Sequence, residues 1–203
     1  MRLAASLMVF LLAVSVHAAD WRDNTYPDTT VITSLPYTLP SNNRVYVLNG
    51  NLTSNDGGIS ISGRTNIKID GRGHTITFDQ DGSGGVVGLS LSNSSNHVVV
   101  TNLTINQAQN PGEYGSPGGS NCTGILLGYS SYLYFRNVNA HVRGHSSMSV
   151  DGSEGNHQAV EFHGGNYTSY CRSFDSRHQS DAATFRVADP KSPLDTTFHY
   201  YIH

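Results

Sequence analysis

Five side chains in the second half of the chain have the types that proton-transfer chemistry on an acidic substrate needs: Tyr134, Arg136, Glu161, His163 and Arg186. Tyr134 and Arg136 are two residues apart, as are Glu161 and His163, the period at which a strand presents side chains to one side. An arginine neutralises a carboxylate, a histidine or arginine takes the proton from the carbon beside it, and a tyrosine protonates a leaving oxygen. A second group lies in Asn139-Ala-His-Val-Arg-Gly-His145, where alternation turns His141 and Arg143 outward and leaves His145 at a bend. The candidate catalytic residues are therefore His163, His145, Tyr134 and Arg136, with Arg143, His141, Glu161 and Arg186 as candidate substrate contacts. The same types also occur on any exposed strand face, where stacked opposite charges are ordinary cross-strand pairs.

Positioning these residues falls to a repeat of short strands. One set is led by Ile59-Ser-Ile61, Leu89-Ser-Leu91, Ile125-Leu-Leu127, Met148-Ser-Val150 and Ser173-Phe-Asp175. Six to ten residues after each comes a second: Ile67-Lys-Ile69, Val98-Val-Val100, Leu133-Tyr-Phe135, Val160-Glu-Phe162 and Ala183-Thr-Phe185. In three of the five a third follows almost at once, namely Ile76-Thr-Phe78, Leu103-Thr-Ile105 and Val138-Asn-Ala140. Second strands recur at intervals of 31, 35, 27 and 23 residues. Strands this short bury nothing alone, but turns stacked about 4.8 Å apart share one continuous interior. Aligning the second strands puts Gly71, Asn102, Asn137 and Gly164 at one corner, where positive φ is tolerated, and lets the two asparagines bond along the axis. It also makes two outward columns, one of Asp70, Thr101, Arg136, His163 and Arg186, the other of Lys68, Val99, Tyr134, Glu161 and Thr184.

The stretches Asn66-Ile-Lys-Ile-Asp-Gly-Arg-Gly-His-Thr-Ile-Thr-Phe78, Ser95-Asn-His-Val-Val-Val-Thr-Asn-Leu-Thr-Ile105 and Tyr132-Leu-Tyr-Phe-Arg-Asn-Val-Asn139 resemble the right-handed parallel β-helix superfamily of pectin-lyase-like proteins. The resemblance spans about 140 of the 203 residues and singles out no member family. It implies an all-β fold, a right-handed parallel β-helix (solenoid) of about five to six turns. An antiparallel sandwich of many short strands is the rival that alternation alone allows. The superfamily includes pectate, pectin and alginate lyases, polygalacturonases, epimerases, phage tailspikes and adhesins, so the resemblance does not by itself assign an activity. Its calcium-binding aspartates and catalytic basic residue have no matching motif here. Arg143-Gly-His145 is not the Gly-His-Gly of polygalacturonases, which leaves two-carboxylate hydrolysis unsupported.

The ten histidines raise metal binding, but His141, His145, His157, His163 and His178 have neither helical i,i+4 spacing nor a cysteine at ligand spacing. No metal site is assigned. Calcium through Asp151, Glu154 and Asp175 is the one cofactor left open, since Asp175 is expected beside Asp151 on the next turn and oxygen ligands can gather at a groove edge. Cys122 and Cys171 each open a first strand two turns apart, about 9.6 Å, beyond the roughly 7 Å reach of a disulfide between Cα atoms. The two are expected to be unpaired. Asn51, Asn93, Asn102, Asn121 and Asn166 each begin an Asn-x-Ser/Thr sequon, and Asn102 is better explained as a corner residue.

Composition agrees with a turn-rich strand protein: 203 residues, only 13% charged, 21 glycines and a net charge of -3. The low charge excludes long salt-bridged helices as the main architecture, and with no Lys/Arg cluster neither nucleic acid nor a membrane surface is an expected partner. Met1 and Arg2 precede an apolar run over residues 3–16 and the small residues Ala18 and Ala19, the pattern of a secretory signal peptide. An uncleaved anchor is the alternative. The expected organisation is a signal peptide over 1–19, an extended lead-in or cap over 20–44 with Pro27, Pro36 and Pro40, and the solenoid over 45–203 with an insertion at 107–121. The alternating end, Thr196-Thr-Phe-His-Tyr-Tyr-Ile-His203, lacks a cap and is read as incomplete. The expectation is a secreted monomer that binds an acidic polysaccharide and cleaves it by β-elimination, or else a non-catalytic surface, adhesion or carbohydrate-binding protein.

Overall fold

The computed structural model describes residues 22, 26–82, 84–108, 122–142, 146–151, 160–169, 172–176 and 185–187, with backbone alone for 146–151, 169, 172–176 and 185–187. Its strands in chain order are β1 (Asp28–Ile32), β2 (Tyr37–Thr38), β3 (Arg44–Leu48), β4 (Leu52–Thr53), β5 (Ile59–Ser62), β6 (Thr65–Asp70), β7 (Thr75–Phe78) and β8 (Val87–Ser92). They continue as β9 (Asn96–Gln107), β10 (Thr123–Gly128), β11 (Ser131–Val142), β12 (Ser146–Asp151), β13 (Val160–His163), β14 (Tyr167–Ser169), β15 (Arg172–Ser176) and β16 (Phe185–Val187). The described residues include no α-helix, and none of their segments is a helix long and apolar enough to cross a membrane.

All pairings run parallel. One sheet follows the path β1-β3-β6-β9-β11-β13-β16, with β4, β7 and β14 beside it, and the other follows β15-β12-β10-β8-β5-β2. Successive strands of each sheet are separated in sequence by a strand of the other, so the chain alternates between the sheets and lays each pass against the one before. The same pairing reaches back into the segment read as a lead-in, where β1 pairs β3 and β2 pairs β5. A third short strand occurs on the β13 pass as well, because β14 pairs the end of β11.

Register explains why the pattern has period two. Ile67, Val98, Leu133 and Val160 stand side by side across four strands, and so do Ile69, Val100, Phe135 and Phe162. All eight are buried. Ile59, Leu89 and Ile125 do the same in the second sheet, facing the first across one core. Equal side chains stack directly: the Phe135 and Phe162 rings lie 4.8 Å apart at 12°. Each such buried side chain removes apolar surface worth about 1.5–3 kcal/mol from water.

The expected corner is present, with one change. Asn102, Asn137 and Gly164 adopt φ of 52°, 53° and 66°. Asn137 Nδ2 donates to Asn102 Oδ1 at 3.3 Å, and Asn102 Nδ2 to Asp70 Oδ1 at 3.4 Å, so the amides do bond along the stack. On the β6 pass, however, the left-handed residue is Arg72 (φ 52°), with Gly73 (φ 79°) after it. Gly71 is required for space instead: a Cβ there would sit 2.4 Å from the Asn102 carbonyl oxygen.

One buried polar knot interrupts the apolar interior. Asp79, 2% exposed and left-handed at φ 58°, accepts from Gln107 Nε2 at 2.6 Å and Cys122 Sγ at 3.2 Å through Oδ2. Its Oδ1 accepts the Gly84 N–H at 2.9 Å. One carboxylate thus ties together the loop after β7, the end of β9 and the start of β10. Cys171 lies outside the described residues. The pairing Thr123 to Ser146 to Arg172 nonetheless sets β12 between the strands that follow the two cysteines. Asp79→Ala should strand two buried donors and a half-buried one and lower unfolding stability by about 3 kcal/mol, and Asp79→Asn, which keeps one acceptor, by roughly half that, in urea titrations.

Candidate functional site

On β11 and β13 the inward positions Leu133, Phe135, Val160 and Phe162 are buried, so the intervening residues point to the outer side of the sheet. There Tyr134 pairs with Glu161 and Arg136 with His163. This brings together four of the expected residues on two adjacent strands, spaced about 4.8 Å apart across the sheet. His163 Nε2 lies 3.3 Å from Glu161 Oε2, and the His163 ring packs 4.9 Å from that of Tyr134 at 46°. With Nε2 turned to the carboxylate, Nδ1 is the ring nitrogen turned away from it. Arg136 is exposed, and among the described residues it makes no ion pair.

Sequence reasoning missed Arg22. Its Nη2 donates to Glu161 Oε1 in a close ion pair, and its guanidinium carbon stands 5.5 Å from the centre of the Tyr134 ring. Glu161 is thereby held between a guanidinium and an imidazole, with one oxygen on Arg22 and the other toward His163. That arrangement fixes the carboxylate and, through it, the imidazole, the orienting role that a carboxylate plays beside a catalytic histidine. No local signal marked Arg22, because the contact spans 139 residues of sequence. The outward face is also less open than the columns suggest, since Val99, beside Tyr134 in the register, is only 3% exposed.

Two register expectations are corrected. Glu161, and not His163, pairs with Arg186, so Phe162 stands beside Val187 and the last strand is Phe185–Val187. Arg186 therefore continues the Lys68, Val99, Tyr134 and Glu161 column and does not follow His163. Phe185 thus pairs with Val160, two residues from the Phe162 that matching like side chains suggested. Likewise Asp175 pairs with Ser149 and does not lie beside Asp151. Arg143, His145 and Glu154 lie outside the described residues. Among the described residues no three His, Cys, Asp or Glu gather to hold a metal ion.

His141 belongs to a different face. It follows the left-handed bend at Asn137 and pairs with Thr168, whose Oγ1 is 2.8 Å from His141 Nδ1. Beside it Asn139 Nδ2 donates to Thr104 Oγ1 at 3.3 Å, and Asn139 Oδ1 accepts the Asn166 N–H at 2.9 Å. This is a polar ladder along the stack, separate from the Tyr134 group.

The Tyr134 and Tyr167 phenols have opposite settings, Tyr134 standing on the outer face. Tyr167 points into the core, edge-on to Phe162 at 5.6 Å, and burial pushes its phenol well above the ordinary value of 10.0. Its neutral form is the one the fold stabilises. That contribution is complete below pH 10 and is lost as pH rises beyond it, because the unfolded chain then releases a proton that the folded chain retains. Relative to wild type, Tyr167→Phe should remove up to about 1.4 kcal/mol per pH unit of the stability loss above pH 10, read from urea midpoints across that range. Comparison of the chain with protein-family models, with curated proteins and with solved structures finds no match.

Proposed function

We propose that the chain is a secreted, right-handed parallel β-helix of the pectin-lyase-like kind, and that the face of Tyr134, Arg136, Glu161 and His163 binds an acidic polysaccharide and cleaves it by β-elimination. The fold reading is supported by two all-parallel sheets visited in alternation, and crossovers between parallel strands of one sheet are right-handed in nearly all cases. The observation that carries the activity is the pairing of Arg136 with His163 beside Tyr134, which offers a cation, a base and an acid within one sugar's width.

In this reading Arg136, exposed and without an ion pair among the described residues, meets a uronate carboxylate. His163, oriented by Glu161, takes the proton from the carbon beside that carboxylate. The electron pair forms the C4–C5 double bond as the C4–O bond breaks, and the Tyr134 phenol gives its proton to the departing oxygen. Neutralising the carboxylate stabilises the carbanion-like transition state. His145 as an alternative base, and Arg143 and Arg186 as further contacts to the chain, extend the same proposal. Calcium is a variable of the assay.

Arg22 favours a second reading. A glutamate already closed between Arg22 and His163 also serves a surface that only binds, as in a non-catalytic surface, adhesion or carbohydrate-binding protein. Incubating the chain with pectate, alginate and glycosaminoglycans, with and without calcium and across pH, separates the two. Elimination predicts ultraviolet absorbance from unsaturated uronates, reduced at least about a hundredfold in Arg136→Ala and His163→Ala, within the range of general acid-base effects. No product under any condition contradicts elimination and leaves the binding protein.

A further inference from the structure

The bend that leads from the second sheet into the first uses left-handed residues at two places, at its start on the passes into β6, β9 and β11 and at its end on those passes and the one into β3. Gly63, Asn93 and Tyr129 occupy the first, directly after Ser62, Ser92 and Gly128, the last residues of β5, β8 and β10, with φ of 61°, 53° and 45°. Asn43, Asn66, His97 and Tyr132 occupy the second, one residue before the paired Arg44, Ile67, Val98 and Leu133, with φ between 51° and 57°. Glycine and asparagine are the residues that tolerate this conformation, whereas a bulky tyrosine there is an outlier. Yet on the β10 to β11 pass both positions are tyrosine, and both side chains are exposed, Tyr129 at 45% and Tyr132 at 37%. Strain of this kind persists where the surroundings hold it, and it gathers at ligand-binding positions.

The surroundings do hold it. Ser95 and Ser130, neighbours at this bend, are both buried. The Ser95 hydroxyl donates to the Ser92 carbonyl at 2.7 Å and the Ser130 hydroxyl to the Gly128 carbonyl at 2.9 Å. With serine turned in, the residues on either side turn out. The Tyr132 ring is then fixed by stacking on His97 at 4.7 Å and 7°, and the His97 ring is set by Asn96 Oδ1 at 3.0 Å. Along the stack the rim is amide and hydroxyl: Asn93 Nδ2 donates to Ser62 Oγ at 2.7 Å, and Asn66 Nδ2 to Asn43 Oδ1 at 2.8 Å. None of the seven residues at the two positions is Asp, Glu, Lys or Arg.

We propose that this corner is a second carbohydrate site, in which Tyr129 and Tyr132 form a stacking shelf for uncharged pyranose units of a glycan. A pyranose has an apolar C–H face and a hydroxyl rim, which is the complement of aromatic rings bordered by amides and hydroxyls. A nucleic acid or an anionic lipid would need cations that these positions lack. Prior fixing of the Tyr132 ring lowers the entropy lost on binding. The site goes beyond the elimination chemistry above and stands or falls without it.

The test exchanges both tyrosines for the residue that the neighbouring passes use. Tyr129→Asn/Tyr132→Asn suits the left-handed backbone and should melt within about 4 °C of wild type. Native affinity gels with soluble neutral polysaccharides, a glucan, a galactomannan and a xylan, should show retardation of the wild-type chain by at least one of them. That retardation should fall at least tenfold in the asparagine pair and persist in Arg136→Ala and in Tyr132→Phe. Retardation by none of the three, or equal retardation of the asparagine pair, overturns the proposal. So does a melting temperature lowered by more than about 10 °C in that pair, which would make the tyrosines packing groups.

Discussion

Parallel pairing in one register is the constraint on which the rest of this protein depends. Each strand is too short to bury a face by itself, and its backbone donors and acceptors find partners on the passes before and after it. Once Ile69, Val100, Phe135 and Phe162 stand in line, every residue two positions away is committed to the same side and every residue one position away to the other. A slip by one would turn Arg136 and His163 into the core and Phe135 and Phe162 into water. The apolar column therefore positions the polar face, although the two share no contact chemistry.

The same constraint sets what each corner residue has to do. A bend repeated on every pass demands left-handed backbone at fixed places, and asparagine meets that demand while lending its amide to the neighbour above, as Asn102 and Asn137 do. Where a pass departs from glycine or asparagine, something else must hold the geometry. At Asp79 it is a carboxylate that accepts three hydrogen bonds, and at Tyr129 and Tyr132 it is the inward serine and the stacked histidine.

The strands and their columns were legible in the sequence because period two and the corner residues recur, and the pairing of Tyr134 with Glu161 and of Arg136 with His163 follows from them. Arg186 and Asp175 were misplaced because no repeated residue fixes the count on the stretches that lead to them, and a two-residue change moves a side chain to the neighbouring column without altering its face. Arg22 was invisible for a different reason: a single long-range ion pair leaves no periodic trace. Tyr129 and Tyr132 were written plainly in the chain, but only register shows that they stand where other passes carry glycine, asparagine and histidine.

Interstrand nuclear Overhauser contacts in the isotopically labelled chain test that register most directly. The account predicts amide-to-Hα contacts that join the Ile69, Val100, Phe135 and Phe162 neighbourhoods in sequence, with ring contacts between Phe135 and Phe162, and no close Hα-to-Hα pairs between neighbouring strands. Strong Hα-to-Hα contacts across these strands would mean antiparallel pairing, and would separate Arg136 from His163.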